Sequence, residues 1–367
     1  MKIVYVVYGY TNPGGTERVL ATKANYFAEK GHQVSIVSLK KETENPFFSF
    51  SPLISFYNLD IPTSDKKYKQ VFIDKVTELF KQIQPDIALT MGFGLTIYLS
   101  EVKDKSKKIF EYHFSKYKRK FELAAFDKYA MGRFLTDMYS LKRNKVVRKY
   151  DCFVVLTDED KQSWRNIPNI EVIANPRAFV PSNYSELTTK RAIAVGRHTY
   201  QKGFESLIDI WSDITTKYPD WKLVIFGSGK KKERLEKQIK SLGITGAVEL
   251  LPPTQNVEEE YKNSSVYVMT SKYEGLPLVL MEAMSCGLPA VSYACKCGPG
   301  EIITDEEDGF LVKPGDKKAF IEKLSLLFEN RELQKRMGQL AAENMQRYNV
   351  EDIMPLWIKL FEKLHSA

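Results

Sequence analysis

Ala192-Ile193-Ala194-Val195-Gly196-Arg197-His198-Thr199-Tyr200-Gln201-Lys202-Gly203-Phe204 is the stretch that decides the fold. Its first four residues form a short apolar run, as expected of a parallel strand buried on both faces. Gly196 and Gly203 punctuate the turn. Beyond it, Phe204, Leu207, Ile208, Trp211 and Ile214 repeat at the spacing of one buried helix face. Strand, glycine-bearing turn and amphipathic helix make one step of a doubly wound α/β sheet.

The same step recurs along the chain. Strands are predicted at Ile3–Tyr8, Gln33–Leu39, Asp86–Met91, Lys108–Tyr112, Cys152–Leu156 and Val172–Ala174. A second series is predicted at Ala192–Val195, Lys222–Phe226, Val248–Leu251, Val266–Met269, Ala290–Tyr293 and Phe310–Val312. Twelve strands are too many for one small sheet, so two six-stranded sheets are expected. The break falls between Asn175-Pro176 and about Thr189, where the chain is polar, contains Pro176 and Pro181, and loses periodicity. At the C-terminus Ile353, Trp357, Leu360, Phe361 and Leu364 form another helical stripe. With 367 residues, two domains are the natural expectation. No apolar run approaches the ~20 residues of a spanning helix. The opening run Ile3–Val7 reads as a strand and not as a signal peptide. Four cysteines make no disulfide framework and suggest a reducing compartment.

Three places carry chemistry. Pro13-Gly14-Gly15-Thr16-Glu17 follows the first strand and opens a helix, where backbone N–H groups can approach an anion. It lacks the dinucleotide fingerprint, and a plain tight turn is the alternative. Arg197 and Lys202 flank a strand end and a helix start, a placement suited to phosphate; a solvated basic loop is the alternative. Gly227 and Gly229 end the next strand at the sheet edge where such folds bind ligands. Further on, seven residues separate Glu274 from Glu282 around Gly275-Leu276-Pro277-Leu278. The N–H groups of a helix start suit a diphosphate. Beside such a cradle the two carboxylates read as acceptors for sugar or ribose hydroxyls, with an ordinary pair of surface acids as the alternative. Asp158-Glu159-Asp160 reads as a helix start and Cys295-Lys296-Cys297 lacks two further ligands, so no metal is expected.

In this order, and over almost the whole length, these motifs resemble the family 4 glycosyltransferases. The carriers are Gly14-Gly15-Thr16-Glu17-Arg18, Asn175-Pro176, Gly196-Arg197 with Lys202-Gly203, Glu274 to Glu282, Gly298-Pro299-Gly300-Glu301-Ile302-Ile303 and Gly309-Phe310-Leu311-Val312. The resemblance implies a GT-B architecture of two doubly wound, Rossmann-like parallel-sheet domains facing a cleft. Residues 1–175 would be the acceptor domain, with 352–367 crossing back onto it. Residues 176–351 would bind the donor. It implies a retaining transfer of a hexosyl group from a nucleotide sugar, most simply a UDP-sugar, without metal or other cofactor. Arg197 and Lys202 would neutralise the diphosphate, Glu274 would hold the donor sugar and Glu282 the ribose. Gly14, Gly15, Gly227, Gly275, Leu276, Pro277 and Leu278 would line the donor site, although Pro277 has no N–H to give. His113 matches a family histidine near the donor sugar, with a buried structural histidine as the alternative.

The charge is uneven. The chain carries +8 overall, yet residues 103–149 hold fifteen Lys/Arg against five Asp/Glu. Phe114, Tyr117, Phe121, Phe126, Tyr129, Phe134 and Tyr139 interleave with these cations. Cations with aromatics suit an anionic membrane surface; plain surface charge with a buried aromatic face is the alternative, and no nucleic-acid motif is present. The expectation is a cytoplasmic, peripheral enzyme presenting a lipid-linked glycan acceptor for surface polysaccharide synthesis. A sugar-nucleotide-binding scaffold of the same fold, or a nicotinamide oxidoreductase, are the readings it competes with.

Overall fold

The computed structural model describes residues 1–42, 45–61, 68–92, 94–116, 141–164 and 166–366. They form two compact units, Met1–Ala178 with Val350–Ala367, and Phe179–Asn349.

The first unit runs β1 (Lys2–Val7), α1 (Gly15–Glu29), β2 (Gln33–Ser38), β3 (Ser55–Asn58), α2 (Tyr68–Ile83), β4 (Ile87–Met91), β5 (Lys107–Tyr112), β6 (Cys152–Val155), α3 (Asp158–Ser163) and β7 (Ile170–Val172). The C-terminal helix, Val350–His365, completes it. All strand pairs are parallel, in the order β3-β2-β1-β4-β5-β6-β7. Ile3 to Val7, Ile87 to Leu89 and Phe153 to Val155 are buried on both faces of this sheet. Val4, Val6, Phe72, Phe80, Phe110 and Trp164 share one core cluster. The C-terminal helix joins α1, where the rings of Phe361 and Phe27 lie 5.2 Å apart.

Two expectations need correction. The first sheet has seven strands and not six, because β3 pairs with β2 at the sheet's edge. All four residues of β3 are exposed, so it lacks the apolar run that marks a central strand. The last strand is Ile170–Val172, which shares only Val172 with the expected Val172–Ala174.

The second unit runs β8 (Arg191–Val195), α4 (Phe204–Lys217), β9 (Lys222–Phe226), α5 (Lys232–Ser241), β10 (Val248–Leu251), α6 (Val257–Lys262), β11 (Val266–Met269), α7 (Leu278–Ser285), β12 (Ala290–Tyr293), α8 (Pro299–Ile302), β13 (Gly309–Val312), α9 (Lys317–Glu329) and α10 (Arg331–Asn344). Its six parallel strands take the order β10-β9-β8-β11-β12-β13. The helical stripe of α4 is buried as its spacing predicts, with Trp211 fully enclosed. In both sheets the strand order reverses beside the first strand. The carboxyl ends of β1 and β4, and of β8 and β11, therefore border the crevice where open α/β sheets bind ligands.

Candidate active site

At the switch point of the second unit, the loop leaving β8 meets the loop leaving β11. Gly203, which precedes α4, holds a left-handed φ of 66°. A Cβ at this position would strike the carbonyl oxygen of Thr270, just past β11. In return the Thr270 hydroxyl donates to the Gly203 carbonyl at 3.1 Å. This close seam carries Lys202 to Glu274: Nζ lies 2.8 Å from Oε1. Gln201 fixes the other carboxylate oxygen, donating from Nε2 to Oε2 at 3.1 Å and to the Tyr273 carbonyl at 3.2 Å. Both members of the ion pair are largely shielded from solvent. Arg197, by contrast, is exposed and makes no ion pair among the described residues.

Glu282 lies within α7 and is buried, accepting a hydrogen bond from the Tyr261 hydroxyl at 3.2 Å. Pro277 stands at the N-cap of α7. Tyr267 of β11 links the two acids electrostatically. Its phenol is pushed well above its ordinary pKa by burial, then by Glu274 and Glu282 together. Leu276, Pro277 and Leu278 are buried, and Gly275 is half-buried. They are locked from behind by Gly298, whose added Cβ would come 2.7 Å from the Gly275 carbonyl oxygen. Gly227 is needed for close approach: a Cβ there would strike the Gly196 carbonyl oxygen. His198 is wholly buried between these turns, its N–H donating to the Ser228 carbonyl at 2.7 Å. Burial lowers its pKa, with Lys232 adding to the effect. Cys295 is buried against the same ion pair, and burial drives its thiol well above the usual range.

The second unit thus gathers Arg197, Lys202, Gly227, Glu274, Gly275, Leu276, Pro277, Leu278 and Glu282 at the carboxyl edge of its sheet. Gly14, Gly15 and His113 belong to the first unit. Gly14 is the N-cap of α1, and Gly15 is its first residue. His113 follows β5, with Nε2 3.1 Å from Glu111 Oε1. Gln201, His198 and Tyr267 escaped the sequence because none belongs to a charged or glycine motif.

Residues 103–149 are in part committed to the protein itself. Lys108 is buried, donating to Ser106 and pairing with Asp104. Lys116 donates to the Ser163 carbonyl at 2.6 Å. Arg143 is buried against the rings of Tyr112 and Trp164. Arg148 donates to the Asn166 carbonyl, and Lys149 pairs with Glu101 at 3.1 Å. Phe114 packs on the core and is not free to face a membrane. Lys103, Lys105, Lys142 and Lys145 are exposed. Tyr117, Phe121, Phe126, Tyr129, Phe134 and Tyr139 lie outside the described residues. Among the described residues, no helix is long and apolar enough to cross a membrane.

Comparison with known proteins agrees with this architecture. Residues 13–177 match the family model described as Glycosyltransferase Family 4, and residues 179–344 match that of Glycosyl transferases group 1. An uncharacterised glycosyltransferase of Haemophilus influenzae is 32% identical, over 97% of this chain and 98% of its own length. The amylovoran biosynthesis glycosyltransferase AmsD of Erwinia amylovora is 30% identical over 97% and 98%. A Campylobacter jejuni α-1,4-N-acetylgalactosaminyltransferase, named for a glycan carried on PP-undecaprenol, is 24% identical over the full length of both chains. Among solved structures, TarM of S. aureus, bound to fondaparinux, α-GlcNAc-glycerol and UDP, superposes with a TM-score of 0.81. That match spans 98% of this chain and 100% of TarM at 16% identity. The chain belongs to the family 4 glycosyltransferases and has the GT-B fold.

Proposed function

We propose that the chain is a retaining, metal-independent glycosyltransferase that moves a hexosyl group from a UDP-sugar to a lipid-linked glycan. The observation that carries this reading is the shielded Lys202–Glu274 pair at the switch point, beside the start of α7. Such a pair suits this chemistry, with a cation for a diphosphate leaving group as it gains charge and a carboxylate as acceptor for sugar hydroxyls. Lys202 and the exposed Arg197 neutralise the departing UDP, and N–H groups of Gly275, Leu276 and Leu278 cap its phosphates. Glu274 takes hydroxyls of the donor sugar, and Glu282, steadied by Tyr261, takes those of the ribose. The family pattern alone assigns His113 to the donor sugar and the Gly14-Gly15 turn to the phosphates. With leaving-group charge met by side chains and backbone N–H groups, neither a metal nor a dedicated nucleophile is assigned.

The acceptor assignment draws support from the Campylobacter relative named for an undecaprenol-linked glycan and from the surplus of cations in residues 103–149. That segment is proposed to dock on an anionic membrane. Flotation with vesicles tests it: binding should require anionic lipid and fall as salt rises. Equal binding to neutral vesicles counts against it.

A thermal-shift screen of nucleotide sugars, followed by transfer assays with the best donor in the presence and absence of EDTA, tests the core reading. UDP-sugars should raise the melting temperature, and transfer should survive EDTA with retention at the anomeric carbon. Binding without transfer to any lipid-linked acceptor would favour the scaffold alternative.

A further inference from the structure

A buried ionic network lies in the first unit behind His113. Lys23 of α1 is fully enclosed, and its Nζ stands 2.6 Å from Oε2 of Glu111. The same ammonium sits 3.3 Å from the centre of the Trp357 ring on the C-terminal helix. The second oxygen of Glu111 lies 3.1 Å from His113 Nε2. The buried hydroxyl of Tyr5, on β1, makes no hydrogen bond and feels the same carboxylate. The groups facing Glu111 are therefore Lys23 from α1, Tyr5 from β1 and His113 from its own strand end, with the neutral indole of Trp357 closing over the ammonium.

A buried Lys–Glu pair is seldom needed for stability, since an apolar pair of similar volume often serves as well or better. Here the pair has a specific consequence. One carboxylate oxygen is taken by Lys23, and the other is left for the histidine. Burial pushes the Glu111 carboxyl up, but Lys23 and His113 outweigh it and hold it at about 2, so it stays ionised.

We propose that Glu111 is a positioning residue for His113, held in place by Lys23 and Trp357. The inference rests on His113 meeting the sugar substrate, as assigned above. Glu111 keeps Nε2 turned into the protein, which leaves Nδ1 as the ring nitrogen that meets a ligand. Lys23 fixes the carboxylate while offsetting part of its field. The seating of the C-terminal helix, through Trp357, thereby becomes a condition for the orientation of a residue at the carboxyl edge of the sheet.

The experiment is 15N NMR of the His113 ring in the full chain, whose two ring-nitrogen shifts report which nitrogen carries the proton, with transfer kinetics alongside. In the wild-type chain Nε2 should carry the proton, and in Glu111→Gln that preference should weaken. kcat should fall with it, while KM for the donor stays within about twofold. Glu111→Gln alone strands the Lys23 charge, so the double variant Lys23→Met/Glu111→Gln replaces the pair with neutral groups of similar size. It should weaken the same preference. An unchanged proton position on the His113 ring in both variants overturns the proposal. The ring measurement needs no substrate, so it decides the network even if the wild-type chain transfers no sugar. In that case the assigned reaction fails separately.

Discussion

At the scale of single residues, the site depends on one contact made across 72 positions of sequence, Lys202 with Glu274. Its members were legible because charged residues beside glycines at a strand end signal phosphate chemistry. That they pair with each other was not legible, since the pairing comes from the Gly203–Thr270 seam and not from spacing. Lys202→Met should lower kcat by roughly 10²–10³, the scale of one lost electrostatic stabiliser, while far-UV circular dichroism stays unchanged. Normal turnover would remove Lys202 from the mechanism. Cys152, Cys286, Cys295 and Cys297 are all buried. Burial raises Cys152 to about 12 and lifts Cys286 and Cys295 above their usual range. A thiol reagent at pH 8 should therefore label essentially none of them in the folded chain and all four in denaturant. Rapid labelling of the native protein would show that the loop bearing Cys295 opens.

At the scale of elements, legibility followed burial. The central strands of both sheets declared themselves as Val/Ile runs because both of their faces are covered. The exposed edge strand Ser55–Asn58 has no such run, so its pairing with β2 is set by tertiary structure. Helix α4 was legible from its stripe, whereas the reason it begins where it does was not. Gly203 is required by a left-handed φ of 66° and by the nearness of the Thr270 carbonyl. Gly203→Ala should therefore destabilise the second unit by roughly 2–4 kcal/mol, combining the left-handed penalty with overpacking. Urea unfolding measures this, and a change below ~0.5 kcal/mol would mean that the seam yields easily. The same displacement moves Lys202, so Gly203→Ala should also lose activity at temperatures where it remains folded.

At the scale of the whole molecule, each unit has its own sheet and its own core, with the C-terminal helix assigned to the first. Two cooperative transitions are then expected on heating in place of a single two-state one, and each should answer to its own perturbation. UDP is assigned to the second unit. At about 100 times its dissociation constant it should stabilise that unit by about 2.7 kcal/mol and raise one transition only. Acid should act on the other. Glu111 titrates at about 2 in the folded chain against an ordinary 4.5. Because the folded value is the lower one, the unfolded chain takes up the proton first. The contribution of Glu111 is complete above about 4.5 and is lost as pH falls toward 2. Calorimetry between pH 7 and pH 3 should thus show the UDP-insensitive transition moving down, with a shallower slope in the Lys23→Met/Glu111→Gln variant. Trp357→Ala, which removes the ring over Lys23, should lower that same transition and leave the UDP-responsive one in place. A single transition that shifts with UDP, acid and Trp357→Ala alike would mean that the two cores unfold as one.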